Sequence, residues 1–265
     1  MKFAIIGAGN MGGALARGLA KGTLVHTADL IVSDPSNERT EALRREFPEI
    51  RIAACNKSAV READVVLFAV KPWLLEGVIQ EVKEEMDYDR QVVISIAGGI
   101  GTKQICQYLD RGDADYPAVY YLIPNTAVDA MAGMTFMTSV FSTAETDAQL
   151  LAIFKELGDA MLVEERLMNA GMALSSCGIA YVMRYVRAAM EGGVELGFYP
   201  KDAQRIIMQT MKGAVELLEK GGAHPEAEID KVTTPGGLTI RGLNAMEEAG
   251  FTQSVIKGLR ASMKP

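Results

Sequence analysis

Four stretches of the 265-residue sequence bring together residue types that could do chemistry. The first is Ile6-Gly7-Ala8-Gly9-Asn10-Met11-Gly12, a GxGxxG run placed directly after an apolar, β-rich stretch and ahead of a helical one. Gly7 permits a tight turn, Gly9 lets the backbone approach a pyrophosphate, and Gly12 lets helix and strand pack closely. The helix start then offers unpaired N–H groups and a partial positive charge to phosphate. In this strand-turn-helix context the run predicts dinucleotide binding, which a lone glycine motif would not. Asp34 follows about 20 residues later, where an acidic side chain binds the ribose 2′-hydroxyl of NAD and repels the 2′-phosphate of NADP. Arg39 stands close by and can pair with a 2′-phosphate, so the sequence leaves NAD(H) and NADP(H) both open.

The second stretch is Ala69-Val70-Lys71-Pro72, at the carboxyl end of an apolar run. Ligands of open α/β sheets bind at the carboxyl ends of strands, and Pro72 suits the first turn of a following helix. Lys71 therefore stands at the crevice. Ala97-Gly98-Gly99 takes the equivalent place after the next strand, where the lack of bulk suits close approach to a ligand. The third stretch is Pro124-Asn125-Thr126. The Asn125 amide donates and accepts, which suits a nicotinamide carboxamide or a substrate, a plain turn being the alternative. The fourth is Thr233-Thr234-Pro235-Gly236-Gly237-Leu238-Thr239, directly before a helical run. The N–H groups of Gly237 and Leu238 are expected to point out of the helix start, an arrangement that binds a carboxylate. The hydroxyls of Thr234 and Thr239 add hydrogen-bonding groups, and a capped helix with nothing bound is the competing reading.

The elements that position these residues alternate. Strands are expected at 2–6, 30–33, 51–53, 65–69, 92–96, 118–122 and 133–138, with helices at 11–21, 38–47, 74–86 and 144–157. Such alternation reads as βαβ units around a mainly parallel sheet. From about Glu164 no convincing strand follows. A long stretch at 172–196 carries few charges, and a helix apolar nearly all round must be buried nearly all round. A helical domain of this size can hardly surround it alone, so a second subunit is expected to cover it, with burial inside the chain as the alternative. Residues 202–220 form a cleaner amphipathic helix, and a last helix is expected from near Gly237 to a left-handed cap at Gly250. The fold class is therefore α/β: an N-terminal Rossmann-like doubly wound sheet at 1–163 and an all-α C-terminal dimerisation domain at 164–265.

Composition narrows the function further. The chain has 27 basic and 34 acidic residues, a net charge of −7 and no basic block, which argues against nucleic acid. No apolar run approaches the roughly 20 residues needed to cross a bilayer, and the N-terminus lacks the pattern of a signal peptide. Three widely spaced cysteines make neither a disulfide framework nor a zinc site, and two histidines exclude a multi-histidine metal centre. A cytoplasmic protein acting on a small molecule, without metal, is expected.

The residues resemble the Δ1-pyrroline-5-carboxylate reductase family. GAGNMGGALARGL, FAVKPWLL, VISIAGG, IPNTAV, SSCGIAYV and DKVTTPGGLTIRGLNAMEEAGF occur in that family's order and spacing, over nearly the whole chain. The glycine fingerprint is shared by many dehydrogenases; KVTTPGGLTI is much more specific. The resemblance implies reduction of the cyclic imine 1-pyrroline-5-carboxylate to L-proline by NADPH or NADH, the last step of proline biosynthesis. It also implies a homodimer interlocked through the helical domain, which some members assemble further into decamers. By motif match, Thr234, Gly237 and Leu238 hold the substrate carboxylate and Thr239 hydrogen-bonds the ring nitrogen. Residues Ile6 to Met11 hold the pyrophosphate, Asp34 and Asn56 lie near the adenosine ribose, and Ala69 to Pro72 with Ala97 to Gly99 line the cofactor crevice. The chain departs from the family pattern at Tyr121, commonly Arg, at Cys177 and Ile179 in the family's SGSGPAY run, at Ala127, and at Asp34. A β-hydroxyacid dehydrogenase is a competing reading, but that chemistry uses a lysine on the first long helix of its second domain, and no lysine lies between Arg166 and Pro200. A non-catalytic nucleotide-binding protein on the same fold is the other.

Overall fold

Short runs rich in valine, isoleucine and phenylalanine build one eight-stranded sheet. Its strands are β1 (Phe3–Ile6), β2 (Leu30–Ser33), β3 (Arg51–Ile52), β4 (Val65–Phe68), β5 (Val92–Ser95), β6 (Ala118–Pro124), β7 (Gly133–Val140) and β8 (Gly158–Leu162). The spatial order is β3-β2-β1-β4-β5-β6-β7-β8, and every neighbouring pair is parallel except the antiparallel β6–β7. Seven helices accompany the strands: α1 (Asn10–Lys21), α2 (Asn37–Glu46), α3 (Asn56–Glu62), α4 (Pro72–Val82), α5 (Thr102–Leu109), α6 (Ala144–Lys155) and α7 (Met168–Met172). Every residue of β1, β2, β4 and β5 is buried, as central strands covered on both faces require. Side chains alternate between two cores. Phe3, Ile5, Leu67 and Ile94 pack with Leu15, Leu19 and Phe154; Ala4, Ile6, Val66 and Val93 pack with Leu75, Ile79 and Ile105. The chain winds outward from β1 to β3, then crosses back to β4 on the other side of β1. The switch in winding direction places a crevice at the carboxyl ends of β1 and β4.

The computed structural model describes residues 1–112, 115–222 and 224–263. The chain divides into two compact units, Met1–Ser176 and the residues from Cys177 onward. The second unit is helical: α8 (Gly178–Glu195), α9 (Pro200–Gly221), α10 (Pro225–Lys231), α11 (Leu238–Glu248) and α12 (Phe251–Ala261). Gly193 of α8 lies against Ala203 of α9, where an added Cβ would stand 2.9 Å from the Ala203 methyl. The Tyr181 hydroxyl of α8 donates to the Gly258 carbonyl of α12 at 3.2 Å.

The strands anticipated from the sequence form within a few residues of their expected bounds, and the doubly wound, largely parallel arrangement is the one observed. Several elements differ. β8 was not anticipated, because only Ala160 of its five residues is buried and the run starts Gly-Asp. The short helices α3, α5, α7 and α10 carry too few residues for a helical period to show. The 172–196 stretch is not one helix: Ala173–Cys177 is a π-turn, and α8 begins at Gly178. The expected last helix is α11, and Gly250 takes a left-handed conformation (φ +84°), but a further helix, α12, follows it. No residue of α8 is fully buried, so the single chain covers its apolar faces only in part.

Candidate active site

A cleft of about 870 Å³ opens along the carboxyl ends of β2, β1, β4 and β5, within the size range of about 300–1,000 Å³ of small-molecule and cofactor sites. Its wall includes Ile6, Gly7, Gly9 to Met11, Asp34, Asn56, Ala69 to Pro72, Ala97 and Gly98. Gly7 turns with φ +105°, and a Cβ there would stand 2.7 Å from the Ala69 carbonyl oxygen. A Cβ on Gly12 would lie 2.0 Å from the Gly7 oxygen, so this glycine serves the packing of α1 on the turn. Gly9 is different: nothing lies within 4 Å of the position its Cβ would take. Its missing side chain leaves open space in the cleft, not packing room. Gly9 caps α1 without a side-chain bond, and the N–H groups of Asn10 and Met11 have no partner among the described residues. Bare N–H groups, a helix dipole and open space at a glycine fit the pyrophosphate of a dinucleotide.

At the β2 end, Asp34 is nearly buried, its side chain 4% exposed. Its Oδ2 accepts the Ala8 N–H at 2.7 Å and its Oδ1 accepts the Ser36 N–H at 2.8 Å. The Ser33 hydroxyl donates to Asn56 Oδ1 at 2.7 Å, and Asn56 Nδ2 donates to Glu81 at 3.0 Å. Glu81, Leu74 and Val78 of α4 all line the cleft and were not expected there from the sequence. Their helical spacing puts them on one face, which is the signal that could have found them. Cys55, also in the wall, starts α3, and hydrogen bonding with the Ser58 backbone and side chain holds its thiol below the usual pKa.

At the β4 and β5 end, Lys71 and Pro72 begin α4 as anticipated. The turn after β5 is tied from behind. The Gly99 N–H (φ +84°) donates to the Tyr121 hydroxyl at 3.1 Å. Burial pushes the Tyr121 phenol above its usual pKa, against the opposing effect of the Gly99 hydrogen bond. Glu165 accepts from the Thr102 N–H at 2.9 Å and the Thr102 hydroxyl at 2.6 Å, fixing the start of α5.

Four anticipated cofactor residues stand outside the cleft wall. The Ala8 N–H is bonded to Asp34, Gly12 packs behind Gly7, and Gly99 is held by Tyr121. Asn125 is 5% exposed, and its Oδ1 accepts from the N–H groups of Ala127 (3.2 Å) and Met134 (3.3 Å), organising the β6–β7 connection.

The Thr-Thr-Pro-Gly-Gly run lies in the second unit, at the start of α11. The Gly237 N–H does not point out of the helix. It donates to the Thr234 carbonyl at 2.9 Å, and a Cβ on Gly237 would meet the Thr234 hydroxyl at 2.5 Å. The N–H groups of Leu238 and Thr239 have no partner among the described residues, and both residues are exposed, as is Thr234. Thr233 is occupied, its hydroxyl donating to the Ile229 carbonyl at 2.7 Å. The helix start thus presents two N–H groups and two threonine hydroxyls to an anion.

Comparison with known proteins gives concordant results. Residues 165–265 match the family described as pyrroline-5-carboxylate reductase dimerisation, and residues 2–99 match the family described as NADP oxidoreductase, coenzyme F420-dependent. The pyrroline-5-carboxylate reductase 1 of Dictyostelium discoideum is 35% identical over 98% of this chain, which spans 48% of that relative, about half its length. The pyrroline-5-carboxylate reductase of Synechocystis is 34% identical over the whole chain and 96% of its own length. The crystal structure of Plasmodium falciparum pyrroline carboxylate reductase with NADP bound superposes with a TM-score of 0.87 at 26% identity, covering 99% of this chain and 95% of that one.

Proposed function

The chain belongs to the pyrroline-5-carboxylate reductase family, and we propose from this premise that it reduces 1-pyrroline-5-carboxylate to L-proline with NADH or NADPH, as a homodimer built through its helical unit. The observation that carries the reading is the bare start of α11, where the Leu238 and Thr239 N–H groups stand unpaired beside the Thr234 and Thr239 hydroxyls. A five-membered imine bearing a carboxylate needs such a set: an anion site, and a hydrogen-bonding group a few ångströms away for the ring nitrogen.

The residues divide the work. The Leu238 N–H and the Thr234 hydroxyl hold the carboxylate, helped by the helix dipole. The Gly237 N–H instead closes the turn that shapes this loop. The Thr239 hydroxyl hydrogen-bonds the ring nitrogen and orients it. In the first unit, the Gly7–Gly12 turn and the start of α1 hold the pyrophosphate, while Ala69 to Pro72 and Ala97 to Gly98 line the nicotinamide end. Bound there, the reduced nicotinamide supplies a hydride to the carbon of the C=N bond. An imine nitrogen takes a proton far more readily than a ketone oxygen, so positioning and one hydrogen bond suffice without a histidine acid. Both histidines have other places: His26 precedes β2, and His224 caps α10 by accepting the Glu226 N–H at 3.3 Å. Among the described residues no helix is long and apolar enough to cross a membrane, and a cytoplasmic site of action fits the chemistry. We place the start of the substrate-binding and dimerisation domain at residue 164, ahead of the break between the compact units.

The test follows nucleotide oxidation with pyrroline-5-carboxylate and assays proline directly. Turnover to proline is expected, and Thr239→Ala should lower kcat by about 100-fold with a smaller change in KM. Nucleotide binding without proline formation would overturn the reading. Wild-type kcat in Thr239→Ala would remove the role given to that hydroxyl.

A further inference from the structure

The β2 end of the cleft carries charges that choose between the two nucleotides. This argument rests on the proposed reading of the cleft as the dinucleotide site. The adenosine ribose lies at the end of the second strand in sheets of this kind, and there Asp34 faces the cleft. The carboxylate is fixed. Its two oxygens take the Ala8 and Ser36 N–H groups, one from the glycine turn and one from the β2–α2 turn. Swinging it aside would strip both groups of their acceptor, and each oxygen keeps a second lone pair. Glu81 adds a second carboxylate to the same wall, already bonded through Asn56 to Ser33. Against these, the cations in the wall are Arg39 and Lys71. Lys71 follows β4, toward the nicotinamide end. The Arg39 guanidinium, 58% exposed, lies 3.7 Å from Asp34 Oδ2, so at this end one cation stands against two carboxylates.

A 2′-phosphate brings a charge of about −1.5 to −2 to a wall whose local balance is already negative. A 2′-hydroxyl brings a hydrogen-bond donor, which a fixed carboxylate accepts. We propose that Asp34 makes this protein prefer NADH over NADPH: the fixed carboxylate accepts a ribose hydroxyl and, with Glu81 in the same wall, repels the 2′-phosphate, while the single cation beside it, Arg39, offsets only part of that negative charge.

The test is equilibrium binding, with no imine present. NADH and NADPH are titrated in parallel, read by nucleotide fluorescence and by energy transfer from Trp73, the one tryptophan of the chain, which adjoins Pro72 of the wall. Wild type is expected to bind NADH at least about tenfold more tightly. Asp34→Ser should move that ratio toward NADPH by at least about tenfold. Asp34→Asn keeps one acceptor for the turn and should move it in the same direction, which separates lost charge from a disturbed fold. Arg39→Ala should leave NADH binding within about twofold. Equal or tighter NADPH binding by wild type overturns the proposal, as does a preference for NADH that survives both Asp34 variants. Because no imine is present, failure here is distinct from failure to form proline.

Discussion

Two glycines of one motif have different physical tasks, and substitution separates them. A methyl group on Gly12 would stand 2.0 Å from the Gly7 carbonyl oxygen, whereas one on Gly9 meets nothing within 4 Å. Gly12→Ala should therefore cost about 1–3 kcal/mol of stability, seen as a lower urea midpoint. Gly9 sits at φ −67°, ψ −167°, which alanine also adopts, so Gly9→Ala should unfold within about 0.5 kcal/mol of wild type. It should nevertheless weaken nucleotide binding by about tenfold, because the methyl takes the space given to the pyrophosphate. Unchanged binding in Gly9→Ala would show that no phosphate sits there. At this scale the sequence spacing was informative where the local backbone decides the structure, as in the Gly7–Gly12 turn and the helix start at Leu238. It misled where a side chain answers to a distant partner. Asn125 has the amide of a ligand-binding residue, yet its oxygen is taken by Met134, brought to it by the β6–β7 pairing. Gly237 departs for a local reason, giving its N–H to the Thr234 carbonyl three residues before it.

Elements here are joined by single carboxylates. Glu156, just past α6, accepts the Thr23 N–H at 2.9 and 3.0 Å and the Leu24 N–H at 2.9 Å, as well as the Thr23 hydroxyl, and so clamps the loop that leaves α1. Burial raises its pKa, but these hydrogen bonds outweigh that and hold it below the usual value. A carboxylate whose folded pKa is depressed stabilises the fold above its unfolded pKa, about 4.3 for glutamate. That stabilisation is lost as pH falls through the lower folded value. Glu156→Gln should lower neutral-pH stability by about 0.5–1 kcal/mol after solvent screening. Its urea midpoint should also fall less steeply than that of wild type between neutral pH and about pH 3. Parallel pH curves for the two proteins would remove Glu156 from this role. The parallel strands were legible because fully buried β-branched runs have no other use. β8 was not, since an edge strand reading Gly-Asp-Ala-Met-Leu is defined by pairing with β7 and not by its own pattern. The start of α5 was equally hidden, because Glu165, which fixes it, lies far along the chain.

The whole molecule is decided by what the second unit leaves uncovered. Among its described residues only Ala203 is buried in the single chain. Met183 is 65% exposed, Met208 55% and Leu217 58%. Each apolar side chain of this size contributes about 1.5–3 kcal/mol when buried, so helices showing this many cannot be stable without a cover. The homodimer proposed above would supply one, and the sequence led to the same expectation, with burial inside the chain as the alternative, since a helix apolar nearly all round has to be surrounded. Which faces meet was not legible, because a stripe of apolar residues does not name its partner. Stability coupled to association depends on concentration. The thermal midpoint should therefore rise with protein concentration, each tenfold step adding about 1.4 kcal/mol per dimer. Met183→Glu puts a charge on the exposed face of α8 and should shift the protein toward monomer in sedimentation, with lost helical circular dichroism. The cleft is built from residues of the first unit alone. The monomeric variant should thus still bind nucleotide while proline formation falls with the helical unit. A midpoint that stays constant over a hundredfold range of about micromolar concentrations, with a monomer in sedimentation, would mean that these helices hold together by another route. Loss of nucleotide binding in step with the dimer would mean that the first unit depends on the second for its own fold.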